Sequence, residues 1–193
     1  WRSRRSSYRR RQTTLTLNQG FITMPQQLRM IFDCAITHLP AFAPPAGFRV
    51  RAMQPGEEEA YLQLRRDGGF GASNWTRDNL NKLLVKTLPN GLFLAVEDAT
   101  GVLAASAAAE KSDYEDHPEL GCLGWVMASE AYRGRQLGKA VSVAAMHHLA
   151  QHGYQKFALK TDDWRLPAVN MYLKLGWKPG CLTTTCQGAG RCS

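Results

Sequence analysis

Residues 132–140 read Tyr-Arg-Gly-Arg-Gln-Leu-Gly-Lys-Ala and stand where a long apolar helical pattern begins. A helix start leaves backbone N–H groups without intrahelical partners and carries partial positive charge. Gly134 and Gly138 let an anion come close to that backbone, and Arg133, Arg135 and Lys139 add charge-assisted donors. The chemistry on offer is the binding of a phosphate or pyrophosphate. The same composition also serves a plain helix-initiating turn, so the segment needs a scaffold and a partner motif to be informative.

Other reactive side chains form weaker groupings. His148 and His152 are four residues apart and share a helix face, which reads as a polar face rather than a metal site. The five cysteines (Cys34, Cys122, Cys181, Cys186 and Cys192) are odd in number and contain no C-x-x-C pair. That pattern fits reduced thiols better than a disulfide framework and matches no usual zinc spacing, so no metal is expected.

The elements that must position the turn alternate. Residues 48–52 and 92–97 read as strands, 102–109 and 121–128 as two more, and 155–161 as another. The pair 92–97 and 102–109 is a hairpin around Asp98-Ala99-Thr100-Gly101. Helices are expected at 57–66, 76–84, 137–151 and 166–175, with a final strand from Trp177. The expected fold is α/β (α+β): a mixed, mostly antiparallel central sheet flanked by helices. Domain organisation reads as a basic tail at 1–20, an N-terminal extension at 21–47, a catalytic-type domain at 48–186 and a C-terminal tail at 187–193.

Charge supports that division. The net charge of +8 is concentrated in Arg2, Arg4, Arg5, Arg9, Arg10 and Arg11, which leaves only +2 on the rest. No apolar run approaches the roughly 20 residues a membrane helix needs, so no membrane role is expected. The Arg-rich start reads as a solvated tail, a remnant of a targeting segment, or a nucleic-acid contact in which each arginine neutralises a phosphate. The expected location is intracellular and cytoplasmic, with a mitochondrial alternative from the acid-free, Arg- and Ser-containing start.

The run 121–140 resembles motif A of the GNAT superfamily of N-acetyltransferases, whose core is Arg/Gln-x-x-Gly-x-Gly/Ala. Arg133 fills the first position and Gly138 the last, while Gln136 replaces the middle glycine. Residues 161–177 resemble motif B, which ends in tyrosine, three residues and Gly-Phe. Tyr172 and Gly176-Trp177 fill those places, Ala168 matches the expected small residue, and Arg165 stands where the family often has asparagine.

The resemblance implies an acetyl-CoA-dependent N-acetyltransferase acting on a primary amine without a metal. It implies coenzyme A contacts from Met127, Ala128, Arg133, Gly134, Arg135, Gln136, Leu137, Gly138, Lys139 and Arg165. It also implies that Tyr172 protonates the leaving thiolate. The general base is left open between acids near strand ends, with Glu119 or Asp162 first and Glu130 and Asp163 behind them. Trp75 is a candidate acceptor contact. A homodimer is a further expectation. The alternative is a GNAT-fold component of a ribonucleoprotein or other assembly without catalysis, since a fold does not fix a function.

Overall fold

The computed structural model describes residues 27–70 and 74–180. The expectations that rest on the Arg-rich start and on Cys181, Cys186 and Cys192 lie outside the described residues. Strands β1 (Gln27–Asp33), β2 (Phe48–Ala52), β3 (Thr87–Glu97), β4 (Leu103–Glu110), β5 (Leu120–Ala128), β6 (Lys156–Asp162) and β7 (Lys178–Pro179) form one sheet. Its order is β2-β3-β4-β5-β6-β1-β7, and every neighbouring pair is antiparallel except β5 and β6. Helices α1 (Glu58–Arg65), α2 (Arg77–Lys86), α3 (Leu137–Gln151) and α4 (Leu166–Lys174) cover it. None of them is long and apolar enough to cross a membrane.

Each face has its own core. Helix α3 lays Leu137, Val141, Ala145 and Leu149 against Ala105, Ala107 and Ala109 of β4. Alanines on the strand let the helix backbone come close, and the helix supplies the bulk. On the other face Tyr61 and Leu64 of α1 and Leu80 and Leu83 of α2 pack on Leu92, Leu94 and Ala108. Thr76 starts α2 as the sequence suggests, with its backbone N–H donating to Asn79 Oδ1 at 3.0 Å.

The sheet begins earlier than the sequence reading placed it. Strand β1 lies inside the segment read as an extension, and it pairs with β6 over its whole length, from Gln27↔Asp162 to Asp33↔Lys156. Met30 and Phe32 are fully buried, and Phe32 stacks on Phe157 with centroids 5.6 Å apart. The alternation Leu28, Met30, Phe32 is obscured in sequence by Ile31, which serves the opposite face beside Cys122 and Ala158. At the other end, Trp177 is buried against Phe32 and Phe157, but the strand it was expected to open is only the two residues of β7.

Strands β5 and β6 decide where a ligand can enter. Their parallel pairing covers only Leu120–Cys122 against Lys156–Ala158. Beyond Cys122 the strands part, so the β6-facing edge of β5 has no strand partner from Leu123 on. On the opposite edge, Ser106 faces Met127 while Ala108 faces Gly124, so Trp125 and Val126 together oppose Ala107. This is a β-bulge, and Trp125 sits in the left-handed region at φ 52°. The Ser106 hydroxyl donates to the Trp125 carbonyl at 3.1 Å and holds the bulge in place.

Candidate functional site

The parted strands bound a cleft of about 290 Å³. From β5 it is lined by Cys122–Val126, from β6 by Ala158–Asp162, and from α4 by Ala168 and Tyr172. Glu110, at the end of β4, and Phe70, in the π-helical turn Arg66–Phe70, complete the wall that faces α1 and α2.

Two buried titratable side chains line this cleft. Tyr172 is 5% exposed, and burial pushes its phenol well above the ordinary value, which keeps the hydroxyl protonated. Glu110 is 7% exposed, and burial, reinforced by the charge of Asp113, raises its carboxyl to about 7. The Trp125 indole N–H donates to Glu110 Oε1 at 3.2 Å and opposes part of that rise. Gly124 leaves the Glu110 carboxylate its present place, because a Cβ there would displace that carboxylate.

Glu110 was not among the acids read from sequence. The strand was read as ending at Ala109, one residue short, and the carboxylate comes to face Gly124 and Trp125 only through sheet register. The available signal was an acid closing a run of small apolar residues, Ala104 to Ala109, in a strand too apolar to be exposed.

The acids named from sequence are placed differently. Glu119 is exposed, outside the cleft lining, and engaged with His117 Nδ1 at 3.1 Å; its own backbone N–H and then His117 hold its carboxyl below the usual range. Asp162 lines the cleft but accepts from Arg165 Nε at 3.0 Å. Glu130 is exposed and pairs with Arg133 at 2.9 Å. Asp163 is exposed beyond the end of β6.

Arg165 lines the cleft with its guanidinium 4.6 Å from the Phe70 ring and 4.8 Å from the Trp164 ring. Behind Phe70 a second arginine, Arg65, is 4% exposed and lies 3.6 Å from the Trp75 ring and 4.8 Å from Trp125. Desolvation lowers its pKa, and the aromatic faces offset part of that cost. Trp75 therefore packs on Trp125, centroids 4.6 Å apart, and buttresses the bulge from behind. Met127 and Ala128 sit one step past the cleft lining: Met127 is buried toward α1 and α2, and Ala128 pairs with Ala105.

The turn before α3 borders a second depression of about 440 Å³. Gly134, Arg135, Gln136, Lys139, Ala140 and Val143 line one side, and Ala41, Ala43, Pro44 and Pro45 the other. Gln136 caps α3 in the left-handed region at φ 59°. The backbone that the middle glycine of the motif would favour is thus present although the glycine is not, at a cost of about 1 kcal/mol. Gly134 also has positive φ, and the space beside its Cα is open. Arg135 rests over Phe48 and Tyr132 at 5.8 and 5.4 Å, and the Tyr132 hydroxyl donates to Glu97 Oε2 at 2.9 Å. Leu137 is buried and anchors the helix start. A Cβ on Gly138 would meet only Met171 Sδ at 3.8 Å.

The chain matches the model of the Acetyltransferase (GNAT) family over residues 56–177. It is 27% identical over 169 residues to the mycothiol acetyltransferase of Arthrobacter sp. (strain FB24), covering 84% of this chain and 52% of that protein. It is 31% identical over 151 residues to the mycothiol acetyltransferase of Thermobispora bispora, covering 73% and 50%. Among solved structures it resembles a GCN5-related N-acetyltransferase from Sphaerobacter thermophilus at TM-score 0.66 and 20% identity, over 81% of this chain and 50% of that one. The chain spans about half the length of the curated relatives it matches.

Proposed function

Because the chain belongs to the GNAT acetyltransferase family, we propose that it moves an acetyl group from acetyl-CoA directly to a primary amine. The observation that carries this reading is the pairing of Glu110 and Tyr172 across one cleft, with a cationic helix start beyond it. Acetyl-CoA supplies the activated thioester. Its pyrophosphate suits the first-turn amides of α3 with Arg133, Arg135 and Lys139, and the open edge of β5 suits an amide-bearing pantetheine arm. Arg165 replaces the asparagine of the motif as a side chain reaching the same cleft.

Glu110 takes the proton from the acceptor ammonium, a task suited to a carboxyl titrating near the working pH. The freed amine attacks the acetyl carbon, forming the C–N bond as the C–S bond breaks, and the nitrogen's remaining extra proton leaves to solvent as the amide forms. Tyr172 gives its hydroxyl proton to the departing sulfur and is reprotonated from solvent. Trp125 fixes the rotamer of Glu110, and Gly124 leaves room for it.

A thermal-shift titration with acetyl-CoA, followed by thiol release over an amine panel, tests this reading. Saturating ligand raises Tm by mass action, by several degrees at 100 times Kd. An unchanged Tm together with no thiol release would instead favour a GNAT-fold module without catalysis, including the nucleic-acid contact read from the Arg-rich start.

A further inference from the structure

Lys160 on the cleft lining and exposed Arg29 just outside it make a charge arrangement that acetyl transfer alone does not require. Arg29 of β1 and Lys160 of β6 are direct partners across the antiparallel ladder. Like charges placed directly opposite destabilise a sheet. Nevertheless both cations are drawn over one ring, with Lys160 Nζ 4.7 Å and the Arg29 guanidinium 5.7 Å from the centroid of Tyr114. All sixteen Asp and Glu side chains lie among the described residues. None forms an ion pair with Arg29 or Lys160, whereas Asp162 is taken by Arg165 and Asp113 by Lys86. Among the described residues, two cations are therefore held together at the rim with no carboxylate paired to either.

Register ties this rim to the proposed base. Glu110 pairs with Cys122, Cys122 with Ala158, and Ala158 with Ile31, which makes one row across four strands. Arg29 and Lys160 form the next row on the same face, because side chains two apart on a strand point the same way. Cys122, Ala158 and Ile31 pack together under Tyr114 and form an apolar floor between the two charged ends. With strands about 4.8 Å apart and about 3.3 Å per residue, the Cα atoms of Glu110 and Lys160 stand about 12 Å apart. Glu110 and Lys160 both line the cleft, so one small molecule can span the gap. Gln27, Tyr114 and Lys160 all line the cleft.

We propose that the acceptor carries an anionic group, a carboxylate or a phosphate, which Arg29 and Lys160 bind while its amine lies at Glu110. This inference rests on the acetyl-transfer reading for the role of Glu110. The paired cations then select for charge at the far end of the acceptor, and the stability lost to their mutual repulsion is recovered when the anion binds.

The test uses matched acceptors: amino acids against their amides for the carboxylate arm, and glucosamine against its phosphate ester for the phosphate arm. The expected result is at least about tenfold higher kcat/KM for the anionic member of one pair, falling as salt is raised. In the double variant Arg29→Gln/Lys160→Gln that ratio falls to near one through KM. In parallel, inorganic phosphate raises the Tm of the native chain and does not raise that of the variant. Equal use of charged and neutral members, or a variant that keeps the preference, overturns the proposal. If no amine of either kind is acetylated, the acetyl-transfer reading fails on its own, and the phosphate-dependent Tm still decides whether the rim binds anions.

Discussion

The α3 turn and the Glu110 wall, to which the proposed function assigns the coenzyme and the acceptor, are built in opposite ways. The turn is contiguous: nine successive residues, two positive-φ positions and a helix start give the proposed anion site, built largely from backbone. The wall is assembled from four separated elements, with Glu110 from β4, Gly124 and Trp125 from β5, Phe70 from the π-helical turn and Arg165 from before α4. A backbone site needs a particular chain path, and that constrains neighbouring residue types. A side-chain site needs only register, which leaves no local trace. The first therefore survives as a motif, and the second is found only once the strands are paired.

Replacing Glu110 by glutamine gives the sharpest contrast between the two. kcat/KM at neutral pH is expected to fall about 10²–10⁴-fold, with Kd for acetyl-CoA unchanged. The native rate should rise through about pH 7 as the carboxyl ionises, and the variant should lose that limb. Stability moves in the other direction. The folded carboxyl titrates above its unfolded value, so its contribution is complete below the unfolded pKa and is lost as pH rises through about 7. Chemical denaturation at pH 5 and pH 8 should show the native chain losing at most about 3 kcal/mol over that window, and the glutamine variant losing less. A pH–rate profile unchanged in the variant would remove Glu110 as the base.

Gly138→Glu attacks the other region. The added Cβ meets only Met171 and the new charge favours a helix N-terminus, so circular dichroism and Tm should stay near native. A carboxylate facing the pyrophosphate should weaken acetyl-CoA binding about 10–100-fold, read by calorimetry. Native affinity in this variant would detach the turn from the coenzyme.

The smallest expected effect concerns Gln136→Gly. Relief of the left-handed φ outweighs the extra freedom of glycine in the unfolded chain, so stability should rise by about 0.5–1 kcal/mol in urea denaturation. A loss of stability would mean that the Gln136 side chain contributes more than its backbone costs.

Much of the scaffold was legible. The hairpin of β3 and β4, the long helix α3 and the Tyr172 helix follow from apolar periodicity and turn residues, because each is specified within a short window. Strand β1 was not recognised, since its partner β6 begins more than 120 residues later and its own pattern is split between two faces. Glu119 and Asp162 were chosen because they lie near strand ends. Pairing with His117 and Arg165 engages both, while Glu110 gains its raised pKa from burial that only the folded sheet creates.

The sequence by itself determined the family-type turn, the order of elements and the helix that carries Tyr172, because those depend on residues close together in the chain. The tertiary structure alone decided which carboxylate is buried, where β5 and β6 part, and that Arg29 and Lys160 face each other. These are properties of register and desolvation, and both arise only when distant strands meet.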